Sequence, residues 1–292
     1  MGIRIYQLFI LLIVMRKPER IDVFTLMPEL DELLFNLLEG LSVDDWEVQT
    51  IASRWNVKDV AVHLLDGNLR TLSMLRDGYY GEKPINVNSY DELIGFLNRL
   101  NAHWVIAIMR LSPQVIINLL KSSGKEYCDF LTTLNPEDKS KFSVAWAGEN
   151  ESKNWFHIAR EYTEKWHHQQ QIRLAIGEEK ELLKDKWYLP YLETSVRALP
   201  HHYRDLEGKI GDLIKFTFVG ETLKSWFLTY TDKWELITSN IQSPQCEVRI
   251  KDEIAWKIFT KGIKKNEAIR KSEIIGNQVL GEKIFDMVAV MA

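Results

Sequence analysis

The sequence predicts an α + (α+β) chain: an N-terminal four-helix bundle, then a small C-terminal α+β domain with an antiparallel sheet. Three observations carry that reading. Apolar residues recur at helical spacing from about Asp22 to Gly177. After Lys184, short alternating segments separated by turn residues take over. The 292 residues, 46% of them hydrophobic, suffice for two ordinary domains with buried cores.

Each element follows from local pattern. Pro28 to Leu41 places Leu30, Leu33, Leu34, Leu37, Leu38 and Leu41 on one helical stripe. Asn56 followed by Asp59 reads as an N-cap with an acid in the first turn, opening a helix that runs to about Arg76, before Asp77-Gly78. Ser89 or Asp91 opens another stretch through Phe96, Leu100, Trp104 and Ile108. Ser112-Pro113 restarts a helix expected to end near Gly124. Pro136 and Gly148 break a mixed segment over 125–150, and a long helix runs from about Ser152 to Ile176, stopping at Gly177. The second half reads as strands at Leu213–Val219, Ser225–Tyr230, Trp234–Ile237, Cys246–Ile250 and Glu273–Ile275, with helices at Glu253–Lys261 and Gln278–Ala289. These boundaries divide the chain into residues 15–184 and 185–292, with a Glu- and Lys-rich linker near 178–188.

The N-terminal stretch Ile3 to Met15 is apolar but interrupted by Arg4 and Gln7, and is too short for a span of ~20 residues. No small-x-small cleavage site follows it. Residues 1–14 are expected to be an extension upstream of a start at Met15, with an added strand or a weak signal segment as alternatives. No membrane association is expected. A net charge of −4 with 27% charged residues lacks the basic surface that nucleic-acid binding needs. The two cysteines, Cys128 and Cys246, form no CxxC pair and no disulfide framework, so a cytoplasmic location is expected. The sequence contains no phosphate-binding loop, dinucleotide fingerprint, nucleophile elbow or His-Glu-x-x-His motif.

The long helix carries the chemistry. His157, Glu161, Glu164 and His168 are spaced 4, 3 and 4, so they share one stripe. Glu164 and His168, with His63 from the helix opened by Asn56, supply a carboxylate and two imidazoles, the layout of a divalent-metal site with an open position. The same spacing also describes a solvated face, and a lone histidine among Val60, Ala61, Val62 and Leu64 also describes a hydrogen-bonded core residue. His167 points about 100° away from His168, so the stripe favours His168. Arg173 near the helix end suits either an anionic substrate carboxylate or the helix dipole. Trp226, Phe227, Tyr230, Trp234 and Trp256 could line an apolar pocket or pack as core. His201 and His202, after Pro200, are expected to be exposed in a loop.

Three segments, Leu41-Ser42-Val43-Asp44-Asp45-Trp46, Trp55-Asn56-Val57-Lys58-Asp59-Val60-Ala61-Val62-His63-Leu64 and Glu164-Lys165-Trp166-His167-His168 continuing to Gly177, resemble the DinB/YfiT-like superfamily. They look closest to its mycothiol-dependent maleylpyruvate isomerase branch. The stretch Ile274-Ile275-Gly276-Asn277-Gln278-Val279-Leu280 resembles the sterol-carrier-like second domain of that branch. The resemblance implies a DinB-like metal-binding bundle with His63, Glu164 and His168 as ligands of a zinc or nickel ion. It also implies a low-molecular-weight thiol cofactor, used for S-transfer or cis-trans isomerisation of a small electrophilic substrate. A homodimer is compatible with it. Where that branch has an acid after the second ligand, this chain has Gln171, which can orient a ligand through a hydrogen bond but without charge. A metal-binding stress-related module without turnover and a small-ligand carrier are the alternative readings.

Overall fold

The computed structural model describes residues 16–82, 89–240 and 242–290, so the expected extension over residues 1–14 lies outside them. The chain forms two compact units. One comprises residues 22–143 and 151–182, and the other 16–21, 144–150 and 183–290.

The first unit is helical. Its helices are α1 (Leu26–Glu39), α2 (Val57–Thr71), α3 (Tyr90–Ile108), α4 (Pro113–Thr132) and α5 (Asn154–Ala175). α1 and α2 each pack against both α4 and α5, which closes a four-helix bundle, while α3 lies against α2. The core holds Leu34, Leu38, Val57, Val60, Leu65, Ile116, Leu120 and Ile172. These are the apolar faces that helical periodicity aligns.

Local chemistry sets the ends of the helices that matter for function. Asn56 Oδ1 accepts from the Asp59 amide at 2.9 Å, and Asp59 Oδ2 accepts from the Asn56 amide at 3.1 Å. This reciprocal capping box satisfies two orphan donors and fixes where α2 starts. His63 therefore falls in the second turn of α2. Beyond Thr71 the helix continues as a π-turn over Leu72–Arg76, ending where Asp77 and Gly78 predict. α5 ends in a Schellman motif. Gly177 takes the left-handed φ of 77°, its amide reaches the Leu174 carbonyl at 3.4 Å, and the Glu178 amide reaches the Arg173 carbonyl at 2.8 Å.

α4 differs from expectation, running eight residues beyond Gly124 to Thr132. Gly124 is an approach point, since a Cβ there would meet Asp31 Oδ2 at 3.0 Å and the Phe35 ring at 3.3 Å on α1. Close packing of two helices outweighs the ~1 kcal/mol that an interior glycine costs.

In the second unit α6 (Asp185–Ser195) and α7 (Leu199–Tyr203) precede β1 (Leu213–Val219), β2 (Leu223–Tyr230), β3 (Trp234–Ile237) and β4 (Cys246–Lys251). Then come α8 (Asp252–Phe259), α9 (Lys265–Arg270), β5 (Glu273–Gly276) and α10 (Gln278–Glu282). The sheet order is β3-β2-β1-β4-β5. Its pairs are antiparallel except β1 with β4, which run parallel with Phe216 opposite Val248. The supposed linker near 178–188 gives way to α6, whose buried Trp187, Tyr188, Tyr191 and Leu192 form a helical stripe. The last predicted helix stops at Glu282 and tightens into a 3₁₀ turn over Lys283–Asp286. Trp226, Trp234 and Trp256 are buried as core. His201 and His202 lie on α7 and are half-buried, with His202 Nε2 bonded to the Lys283 carbonyl at 2.7 Å. Among the described residues, no helix is long and apolar enough to cross a membrane.

Because the capping box fixes the start of the helix that carries His63, Asn56→Ala should destabilise the protein by about 1 kcal/mol. Chemical denaturation checks this, and an unchanged midpoint would remove the cap from the account of α2.

Candidate metal centre

α5 is polar and yet buried around nearly its whole circumference. His157, Arg160, Thr163, Lys165, His167, His168, Gln170, Gln171 and Arg173 are all buried. Polar groups taken out of water are costly unless they find partners. Most of these do. Lys165 Nζ bonds both oxygens of the buried Asp31 on α1, at 2.8 and 2.9 Å, and lies 4.7 Å from the centre of the Tyr127 ring. Arg160 Nη2 lies 2.7 Å from His157 Nδ1 and 2.7 Å from Glu161 Oε1, and the Tyr127 hydroxyl donates to Glu161 Oε2 at 3.1 Å. Gln170 donates to the Glu179 carbonyl at 2.9 Å. The predicted stripe therefore splits in two, with Glu161 committed to Arg160 and Tyr127, and Glu164 and His168 one turn further on.

Glu164 Oε2 lies 3.6 Å from His168 Nε2. That is long for a hydrogen bond, but near the ~3.4 Å that separates two ligands of one tetrahedral ion with bonds of ~2.1 Å. The far side of the His168 ring is held, with Nδ1 3.0 Å from Gln171 Oε1. An amide oxygen only accepts, so Nδ1 carries the proton and Nε2 keeps its lone pair toward Glu164. Gln171, the residue that stands where the resembling branch has an acid, is thus in hydrogen-bond contact with His168.

His63 comes from α2. Its ring centroid is 4.5 Å from that of His168, edge to face, and the Trp55 ring lies 4.7 Å from His63 and 6.1 Å from His168. His63 Nδ1 is buried and makes no hydrogen bond. Among the described residues, the set of possible donors mutually within 4.8 Å is Glu164, His167 and His168, so it contains His167 where the sequence reading had His63.

His167 is the residue that angular reasoning set aside. Its ring leans back toward the preceding turn, Nδ1 2.9 Å from the Thr163 carbonyl, and lies 3.9 Å from the His168 ring. A carbonyl accepts, so Nδ1, the atom 3.9 Å from Glu164 Oε2, carries a proton and has no lone pair for an ion. Arg173 is placed against α1, where its Nη2 donates to the Leu33 carbonyl at 3.1 Å. Neither placement was visible from spacing alone, because each depends on what the neighbouring turn or helix offers.

Burial keeps these imidazoles neutral. It pushes His168 down to about 3, helped by the charge of His167, and His167 down to about 4. Burial, then the charges of His168, Arg70 and His167, hold His63 well below its ordinary value. Neutral imidazoles are the form that ligates metals. The arrangement offers one carboxylate oxygen and one oriented imidazole nitrogen at ligand spacing, a second imidazole alongside, and an orphaned buried nitrogen on that second ring. Such a donor set fits a divalent ion.

A family model described as "Mycothiol maleylpyruvate isomerase N-terminal domain" matches residues 27–173. No curated protein matches significantly. Among solved structures, the mycothiol-dependent maleylpyruvate isomerase matches at 11% identity over 80% of this chain and 86% of that one, with a TM-score of 0.46. The apo form of sterol carrier protein 2 from Yarrowia lipolytica matches the C-terminal part at 12% identity, over 38% of this chain and 87% of that one, with a TM-score of 0.25.

The buried histidines make the fold acid-sensitive. For His157, burial and then the charge of Arg160 lower the folded pKa from 6.5 to about 4, against the opposing pull of Glu161. As pH falls below 6.5, the unfolded chain takes up a proton that the folded chain refuses. Stability is therefore full above that pH and declines from there toward about 4. The melting temperature should drop between pH 7 and pH 5, and His157→Gln should flatten the drop. Parallel curves for the two proteins would show that His157 is not a source of the sensitivity.

Proposed function

Because this chain belongs to the mycothiol maleylpyruvate isomerase N-terminal domain family, we propose that it is a divalent-metal-dependent enzyme that uses a low-molecular-weight thiol on a small electrophilic substrate. S-transfer and cis-trans isomerisation are the reactions this reading includes. The observation that carries it is the 3.6 Å approach of Glu164 Oε2 to His168 Nε2, with the opposite nitrogen held by Gln171.

His63, Glu164 and His168 would hold the ion, zinc or nickel by their donor chemistry. His167 is the alternative third ligand through its other ring nitrogen. A divalent ion held there supplies the positive charge that keeps a thiol deprotonated near neutral pH, giving the nucleophile that an electrophilic carbon requires. The remaining work belongs to the chain's own residues. Glu164 contributes a single negative charge, so the site stays net positive when loaded. Gln171 fixes the tautomer and ring plane of His168. The Trp55 ring packs beside the His63 ring, 4.7 Å between centres, and stands 6.1 Å from that of His168. The family membership supports a thiol as co-substrate, with mycothiol as the first to try. Gln171 favours one alternative, a metal-binding module without turnover, because a neutral acceptor makes His168 a weaker ligand than an anionic one would.

Elemental analysis should find about one equivalent of zinc or nickel per chain, lost in His63→Ala and His168→Ala and kept in His167→Ala. Loss in His167→Ala with retention in His63→Ala would exchange those two residues in the ligand set. Thiol-dependent turnover with mycothiol and other small thiols should be abolished by a chelator and restored by zinc. A metal-loaded protein that turns over no electrophile with any thiol favours the non-catalytic module. Gln171→Ala should weaken zinc about 10- to 100-fold in competition with a chromogenic chelator. Equal affinity would mean that Gln171 does not orient His168.

A further inference from the structure

α5 carries a second polar stripe beside the one that holds the centre. Lys165, Gln169 and Arg173 are spaced 4 and 4, and all three are buried. Each is tied to α1. Lys165 Nζ bonds both oxygens of Asp31, at 2.8 and 2.9 Å. The side-chain amide of Gln169 donates to the Leu30 carbonyl at 3.3 Å and accepts from the Leu34 amide at 2.8 Å. Arg173 Nη2 donates to the Leu33 carbonyl at 3.1 Å and to Gln169 Oε1 at 3.2 Å.

These ties specify one register. An α-helix pairs the carbonyl of residue i with the amide of residue i+4, and Gln169 meets one such pair of α1, Leu30 with Leu34. Sliding α5 along α1 by a turn would part Lys165 from Asp31 and leave two buried charges without each other. Leucine stripes are less selective, because apolar faces of similar volume pack in more than one arrangement, whereas a buried polar contact fixes register. Glu164 and His168 each precede a member of the stripe by one residue, so they lie about 100° around the helix from it. On their side stands α2, with the His63 ring centre 4.5 Å from that of His168. What holds the stripe against α1 therefore sets the angle at which His168 meets His63.

We propose that Lys165, Gln169 and Arg173 are positioning residues of the centre: through α1 they set the rotation and register of α5 that bring His168 to His63. Their role toward a metal rests on the metal-site reading above, whereas the meeting of the two rings does not.

Metal-free protein with isotope-labelled histidines should show a nuclear Overhauser cross-peak between the ring protons of His63 and His168. The triple variant Asp31→Leu, Lys165→Met, Gln169→Met replaces the ties with apolar side chains. Its melting temperature should hold, since exchanging a buried ion pair for apolar residues is often neutral or stabilising, but the cross-peak should be lost. Lys165→Arg, which keeps the pair with Asp31, should retain it. A cross-peak of wild-type strength in the triple variant overturns the proposal, whatever the melting temperature, because packing alone then places the rings. Absence of the cross-peak in the wild type overturns it as well. Zinc affinity, measured against a chromogenic chelator, should fall at least about tenfold in the triple variant, and equal affinity also counts against positioning. Should the triple variant fail to fold, Gln169→Met decides by the same cross-peak. If the wild type takes up no zinc, the metal reading fails separately and the cross-peak alone judges the three residues.

Discussion

The burial of a polar helix constrains everything else in the bundle. α5 carries histidines, glutamines, arginines and a lysine into the interior, where a typical bundle helix would present leucines to its neighbours. Water is no longer available to those groups, so each neighbouring helix is shaped by what it must supply. α1 brings Asp31 to Lys165, α4 brings Tyr127 to Glu161, and at Gly124 α4 closes directly onto Asp31 and Phe35 of α1. A buried ion pair of this kind contributes little net stability, but removing one partner alone strands the other charge at a cost of about 3–5 kcal/mol. The partners therefore fix the rotation of α5 about its own axis. That rotation decides where Glu164 and His168 face.

Much of this was legible in the residues, and the exceptions have physical causes. Asn56 with Asp59, Ser112 with Pro113, and Gly177 after a periodic run each declare a helix end, because caps are local and act through the adjacent backbone. The strands from Leu213 to Ile250 were legible for the same reason: alternation and turns are short-range signals. Gly124 misled because its role is set by a helix far away in sequence. α6 hid behind its charged residues, though Trp187, Tyr188, Tyr191 and Leu192 carry a helical spacing. In the site, the pairing of Glu164 with His168 could be read from a spacing of four. The positions of His167 and Arg173 could not, because Thr163 and Leu33 attract them through backbone carbonyls, which every residue has and no sequence pattern marks.

Gln171 shows how one neutral atom can set the character of a centre. It does what an anionic acceptor does geometrically, holding the proton on His168 Nδ1 and aiming Nε2. It does not lend charge. An ion held by His168 would stay more electron-poor than with a carboxylate behind the ring, bound less firmly and more strongly polarising toward whatever it contacts. Affinity and electrophilicity pull in opposite directions here, and the amide sits on the electrophilic side of that balance.

The parallel pairing of β1 with β4 bears on how the second unit assembles. β1, β2 and β3 follow one another as a meander and can zip up through short turns. β4 has to come back past β2 and β3 before it can lie beside β1, and β5 can join the sheet only through β4. Closing the longer loop carries an entropic cost that no contact repays until the strand is in place. The topology thus makes the three-stranded meander the entropically cheaper part of the sheet to close, and the pairing of β4 with β1 the costlier one.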